Sequence, residues 1–408
     1  MNLNAEQYDL VLTGGWVIDP SQSTNGRFDV GVRHGKIADL APNLPADRAR
    51  QVLDVGGHLV CPGFIDPHVH VYEWVTDFGL KADEVGIHSG ATTVVDQGSC
   101  GAWTFQGFKA YVCDQSRTDV RCFLSINLIG ALRGGLGGPV LQSPQMVDVN
   151  AIVDLARQYP ELVRGIKCHG ESGALSRWGL EVLKLAREAG DRTGLPLYIH
   201  TGELIPVIKE NRPAPDDVLA QVLPLLRPGD ILAHCYSNKP DGLLGKRTEV
   251  PDWLIAAAQS GIRLDLGHGI NFSFAIARRM MAAGLLPDTL GSDVHGDFDS
   301  VHNDTTLDYS LCGALSKLLA LGMPLERVIA AVTFNPARVL GAERDIGTLQ
   351  VGSRADISVL QKVAGNWVFR DCEGETVTAK EQLIPAYVVR EGALIQPDRR
   401  LLRDLSKL

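Results

Sequence analysis

The chain has 408 residues, of which 45% are apolar and 21% charged, with glycine and proline at ordinary levels, which excludes a disordered or fibrous protein. A net charge of −9 without any Lys/Arg cluster argues against nucleic acid or an anionic membrane as a partner and for a small-molecule substrate. The length exceeds what one ordinary core needs, although α/β barrels often run this long and carry a small satellite.

The first residues, "MNLNAEQYDLVLTGG", have no basic stretch followed by an apolar one, and no apolar run is long enough to span a bilayer, so a cytoplasmic location is expected. Residues 8 to 60 then read as short β segments separated by turns: "YDLVLTGGWVID", "FDVGVRHGKIADL" and "RQVLDVGGHLV". Next comes "LVCPGFIDPHVHVYEW", residues 59 to 74, an apolar run that ends in two histidines one residue apart. Alternate residues of a strand share a face, so His68 and His70 can grip one ion. Two unrelated polar residues at a strand end fit the same pattern.

Between about residues 60 and 340, apolar runs alternate with helical stretches such as "GLEVLKLAREAGDRTG". That rhythm predicts a parallel sheet. Eight strand candidates occur: around Phe64 to His70, then "ATTVVDQGS", "RCFLSINLIG", "VRGIKCHG", "PLYIHTGE", "DILAHCYS", "IRLDLGHG" and "DTLGSDVHG". Eight closes a (β/α)8 TIM barrel. The β texture returns in "DIGTLQVGSRADISVL" and "IPAYVVREGALI", and the two β-rich ends can pair into one small domain. The expected division is 1–60 with 341–408 for that domain and 61–340 for the barrel. The 8 cysteines are scattered without CxxC pairs, which suits reduced, mostly buried thiols.

Chemistry in such barrels sits at the carboxyl ends of the strands. His68 and His70 on strand 1, Lys167 on strand 4, His200 on strand 5, His234 on strand 6 and Asp293 on strand 8 all fall at that end. An ammonium cannot ligate a metal, but burial among positive groups exposes the neutral amine of a lysine. The amine of Lys167 can then add carbon dioxide, giving a carbamate able to bridge two ions. A lysine salt-bridged to a carboxylate such as Asp293 is the other way to satisfy it.

This arrangement resembles the amidohydrolase superfamily, specifically its two-metal members with a carboxylated lysine in the dihydroorotase-like and deacetylase branch. The resemblance covers essentially the whole chain: "PGFIDPHVH", "GIKCH", "YIHTGE", "LAHCYS", "GSDVH", "FNPARVLG" and "GTLQVGSRADISVL". It implies a hydrolase with two divalent ions, zinc being favoured. His68, His70 and Asp293 would hold the first ion, His200 and His234 the second, and Lys167 as carbamate would bridge them. It also implies a β-sandwich made from both termini, and makes an assembly of identical chains plausible. A complete ligand set argues against a barrel kept only as a scaffold.

Two ions about 3.5–4 Å apart can share a water and lower its pKa, and Asp293 would be both ligand and catalytic base. The position two residues after His70, where dihydroorotases carry an arginine for the substrate carboxylate, is Tyr72. That shifts the expectation from ring opening toward O-acetyl esters of 2-hydroxy acids such as acetyl-mandelate. Amides, either N-acyl amino acids or cyclic amides, are the alternative. Tyr72, Ser99, Asn271, Ser273 and His295 are the substrate-binding candidates, among further loop residues such as His169, Glu171 and His268. "GHGINFSF" is the most suggestive stretch, because Asn271 and Ser273 could donate to a carboxylate; an ordinary Gly-rich turn is equally compatible.

Overall fold

The computed structural model describes residues 7–132, 142–269, 271–295 and 310–399. Seven parallel strands lie side by side in chain order: Phe64–Val69, Ala91–Gln97, Asp119–Ser125, Val163–His169, Leu197–His200, Ile231–Leu232 and Arg263–Leu264. These are barrel strands 1 to 7. They are buried on both faces, as "ATTVVDQ" shows with seven buried residues in a row, so near-continuous β-branched and apolar runs serve better than alternation.

The eighth expected strand survives only as bridges. Thr289 pairs with Asp265 beside strand 7, and Val294 pairs with Val69 in strand 1. Segment 289–294 therefore joins the two edges of the curled sheet without a continuous ladder. Two residues explain the break. Asp293 has φ 51°, outside extended geometry, and Gly291 passes so close to strand 1 that a β-carbon on it would lie 2.3 Å from Cβ of His68.

Some helices cover the sheet with one apolar stripe, whereas Leu311–Ala320 is buried over most of its surface. Glu181–Thr193 buries Val182, Leu183, Ala186, Ala189 and Gly190, a helical spacing that faces strand 4 and helix Val149–Gln158. Gly194, at φ 72°, ends it in the left-handed conformation that favours glycine.

The amino-terminal segment forms one further sheet and joins the carboxyl-terminal segment in a second. One runs Lys36–Ala41, Asp29–Arg33, Tyr8–Thr13, Ala49–Asp54; the other runs Ala393–Ile395, Thr376–Arg390, Ile357–Arg370, Leu59–Pro62, Trp16–Asp19, Thr24–Arg27. Leu59–Pro62 pairs antiparallel with Ile357–Leu360, so the ends meet in one ladder. Leu10, Val32, Val60, Ile357 and Val389 share a single core cluster. The expected boundary after residue 60 falls inside strand Leu59–Pro62, and residues 1–6 and 400–408 of the expected terminal domain lie outside the described residues.

Arg354 ties these sheets to the barrel: its guanidinium is 2.7 Å from both Asp119 of strand 3 and Asp356, while Arg390 reaches Asp356 at 3.3 Å. The long hairpin Ile357–Arg370 and Thr376–Arg390 makes a second tie. Phe369 and Leu383 join the barrel's own core. The hairpin tip reaches the loop after strand 7, where Asp371 Oδ2 accepts from the Phe274 amide at 2.8 Å and the Cys372 amide donates to the Phe272 carbonyl at 3.0 Å.

Candidate metal centre

The carboxyl ends of the strands bring His68, His70 and Asp293 together so that one ligand atom from each lies within 4.8 Å of the others. Nε2 of His68 is 3.2 Å and Nε2 of His70 3.5 Å from Oδ1 of Asp293. Nδ1 of His200 lies 2.9 Å from Nε2 of His234. The rings of His68 and His234 are 5.3 Å apart, which makes the two groups neighbours. Lys167 is buried, with Nζ 4.6 Å from the ring centre of Tyr198.

Close packing against glycine makes room for these side chains. A β-carbon on Gly98, at φ 82°, would sit 2.8 Å from Cγ of Lys167; on Gly267 it would sit 2.8 Å from Nδ1 of His234. His234 and Asp293 themselves have positive φ, 59° and 51°. Strain of this kind costs about 1–3 kcal/mol per residue and collects at functional sites.

The outward nitrogens of His200 and His234 fix which nitrogen points inward with a lone pair. Nδ1 of His234 lies 2.9 Å from the Gly267 carbonyl, and Nε2 of His200 lies 3.1 Å from the Gly202 carbonyl. A carbonyl can only accept, so both outward nitrogens carry the proton. The inward nitrogens then face each other across 2.9 Å with a lone pair each. Burial holds both rings below their ordinary pKa, which removes a shared proton as the remedy at neutral pH. A cation between them is what this geometry accommodates. His70 also has an outward partner, its Nδ1 lying 3.0 Å from the Ser99 hydroxyl, which can donate or accept. Asp96 holds Ser99 in turn by accepting its amide at 2.7 Å. Outward partners of this kind orient metal-binding histidines.

The charge balance also suits cations. Burial pushes Asp293 up, but His68, His70, His295 and His234 more than offset it and hold the carboxyl well below its usual range. Burial lowers Lys167 to about 8 against the nearby carboxylates Asp293, Asp265 and Asp96, bringing its neutral amine within reach of physiological pH. Four imidazoles, a carboxylate and a poised lysine form a donor set that fits divalent metal ions of the zinc type.

The substrate candidates separate. Tyr72 is 6% exposed, its ring packs on Phe108 at 5.2 Å and its hydroxyl donates to the Thr104 carbonyl at 3.1 Å, so it serves the core. Ser99 serves His70. Ser273 caps helix Phe274–Ala282 and donates to Glu373 at 2.8 Å. Its hydroxyl is therefore committed within the chain, unlike the free donor expected from the sequence. Asn271 lies in the loop after strand 7 with a buried Oδ1 that has no hydrogen-bond partner among the described residues. His295 sits 6.3 Å from the ring of His70, and the half-buried Phe78 packs edge-on against both at 4.7 and 5.8 Å. His169 lies 5.0 Å from His200, while Glu171 caps helix Ser172–Trp178.

Sequence reasoning missed Phe78, Tyr198 and Asp265. Tyr198 stands two residues before His200 on its strand, so the same-face argument that found His70 beside His68 could have found it, whereas Asp265 has no histidine at that spacing. Phe78 has no such signal, because it comes from an irregular loop.

The model of the amidohydrolase family matches residues 269–394. A deacetylase from Agrobacterium fabrum is 32% identical over 370 residues, covering 90% of this chain and 86% of that protein. Among solved structures, an adenine deaminase superposes with a TM-score of 0.82 at 25% identity, covering 96% of this chain and 100% of the other. A dihydroorotase superposes with a TM-score of 0.80 at 30% identity, covering 95% and 97%.

Proposed function

The chain belongs to the amidohydrolase family and is a hydrolase, and from that premise we propose that it removes an acyl group from a small carboxylate substrate. The best match is an O-acetyl 2-hydroxy acid such as acetyl-mandelate. The observation that carries the reading is the gathering of His68 and His70 on the Asp293 carboxylate beside the facing lone pairs of His200 and His234. His68, His70 and Asp293 would hold one ion, His200 and His234 a second, and Lys167 as its carbamate would connect them. The ions, zinc by donor type, supply Lewis acidity and a water of lowered pKa.

The chain's own residues do the rest. Asp293 stays ionised and is available to take a proton from a water at the centre and pass it to the leaving group. Ser99 and the carbonyls of Gly202 and Gly267 keep the imidazoles oriented. Phe78 gives the mouth an apolar wall beside His70, which suits an aromatic or branched acid. Deacetylase relatives support acyl removal. The absence of an arginine at position 72 argues against opening a dihydropyrimidine ring.

The reading extends to the whole chain. The terminal sheets form one small β-sandwich, for which their shared core is the support, with the division at residues 1–60 and 341–408 against 61–340. No helix among the described residues is long and apolar enough to cross a membrane, consistent with a cytoplasmic enzyme acting on a small molecule, alone or as a homo-oligomer.

Acid release by the zinc-loaded protein, measured on both enantiomers of O-acetyl 2-hydroxy acids and of N-acetyl amino acids, tests the proposal. Enantioselective turnover of the esters supports it. Turnover confined to amides moves the protein to the amidases, and inactivity of a fully metal-loaded chain on every acyl substrate overturns it.

A further inference from the structure

Tyr198 lies in strand 5 with its ring in the barrel interior, 1% exposed. Three contacts make it unusual. Its hydroxyl is 2.8 Å from Nδ1 of His68. Burial and the Asp265 carboxylate, which acts on the same phenol, keep it protonated. Its ring lies 4.6 Å from Nζ of Lys167 and meets the ring of His68 edge-on at 5.2 Å. One side chain therefore touches both a proposed ligand of the first ion and the lysine proposed to bridge the two.

A phenol has one proton and two lone pairs. Asp265 is already an acceptor, because the amides of Gly291 and Gly267 point at it from 3.0 and 3.4 Å. When the phenolic O–H is directed at Asp265, the Tyr198 oxygen accepts from Nδ1–H of His68 at 2.8 Å. Nε2 of His68 then keeps its lone pair, 3.2 Å from Oδ1 of Asp293. In the reverse arrangement the phenol donates to Nδ1, the ring proton moves to Nε2, and that nitrogen is closed to a cation.

We propose that Tyr198 is a positioning residue: its hydroxyl, oriented by Asp265, fixes His68 in the tautomer that offers Nε2 to an ion, while its ring supports Lys167. The inference rests on the metal reading above, and its test separates the two. Tyr198→Phe removes the hydroxyl and leaves the ring. Metal-free wild type and variant are titrated with zinc against a chromophoric chelator, after a melting curve has established that the variant is folded. The variant binds one ion about 10- to 100-fold more weakly and the other as wild type does, the size of effect typical of a lost outer partner. Equal affinities at both ions overturn the proposal.

A second readout does not depend on the variant's folding. In the metal-free wild type, the 15N shifts of His68 report a proton on Nδ1; a proton on Nε2 overturns the assignment even if Tyr198→Phe fails to fold. Wild type that binds no zinc sinks the metal reading, while the His68 shifts still decide the part played by Tyr198.

Discussion

Gly269 lies so close to Asp293 that a β-carbon on it would be 2.3 Å from Oδ2, and its φ of 41° is one that L residues rarely adopt. Gly269→Ala therefore pushes the carboxylate away from His68 and His70. A displacement of about 1 Å at a reacting group costs on the order of 100-fold in rate. We expect kcat to fall by about that factor, measured by steady-state kinetics, with the fold retained by circular dichroism. An unchanged kcat removes Asp293 from the chemistry.

Removal of metal is a second test. The inward lone pairs of His200 and His234 repel across 2.9 Å without a cation between them, so a chelator should abolish activity and lower the melting temperature. Zinc at about 100 times its dissociation constant returns about 2.7 kcal/mol. His200→Ala relieves the repulsion, so its melting temperature should respond less to zinc while activity falls at least about 1,000-fold, in proportion to the loss of an ion that stabilises charge. Full activity in the chelated protein counts against the mechanism.

Ser273 supplies a prediction that distinguishes cap from donor. Its hydroxyl accepts from the Ile276 amide and donates to Glu373. Ser273→Ala should cost about 1 kcal/mol of stability, the usual worth of a cap, and leave KM within about twofold. A tenfold rise in KM at unchanged stability would return Ser273 to the substrate.

The Arg354 cluster predicts an acid limb. Burial pushes Asp119 up, but Arg121, Arg354 and Arg390 more than offset it, so its carboxyl titrates below its ordinary value. Asp356 is pushed up by burial despite Arg354 and Arg390, so it has taken its proton before that range is reached. A depressed folded pKa contributes stability that is present above the unfolded value of about 3.9 and lost as pH falls through the folded one. Denaturant melts from pH 5 down to 2 should show that loss. Arg354→Leu should cost about 3 kcal/mol at pH 7, the low end for a broken buried pair, because Asp119 keeps Arg121 and Asp356 keeps Arg390, and its acid limb should flatten.

Much of this was legible in the sequence because it is local. Alternation within "DPHVH" and "YIH" puts side chains on one strand face, and βα rhythm puts strand ends at one rim, so the gathering of His68, His70, His200, His234, Lys167 and Asp293 follows from period and order. The broken eighth strand was not legible, since its cause is a left-handed Asp293 set by packing against strand 1. Nor was the commitment of Ser273. Its partner Glu373 lies 100 residues further along the chain, and no periodicity connects positions that far apart.

The hairpin tip at Asp371 has a consequence for the chain in time. Domains form from the amino terminus as synthesis proceeds, yet the Phe274 amide finds its acceptor only 97 residues later. The loop beside the metal site is therefore braced by a segment made well after it, whose arrival gives the Phe274 amide its acceptor. A nascent chain stalled before residue 371 holds every proposed ligand but lacks the brace on the loop after strand 7.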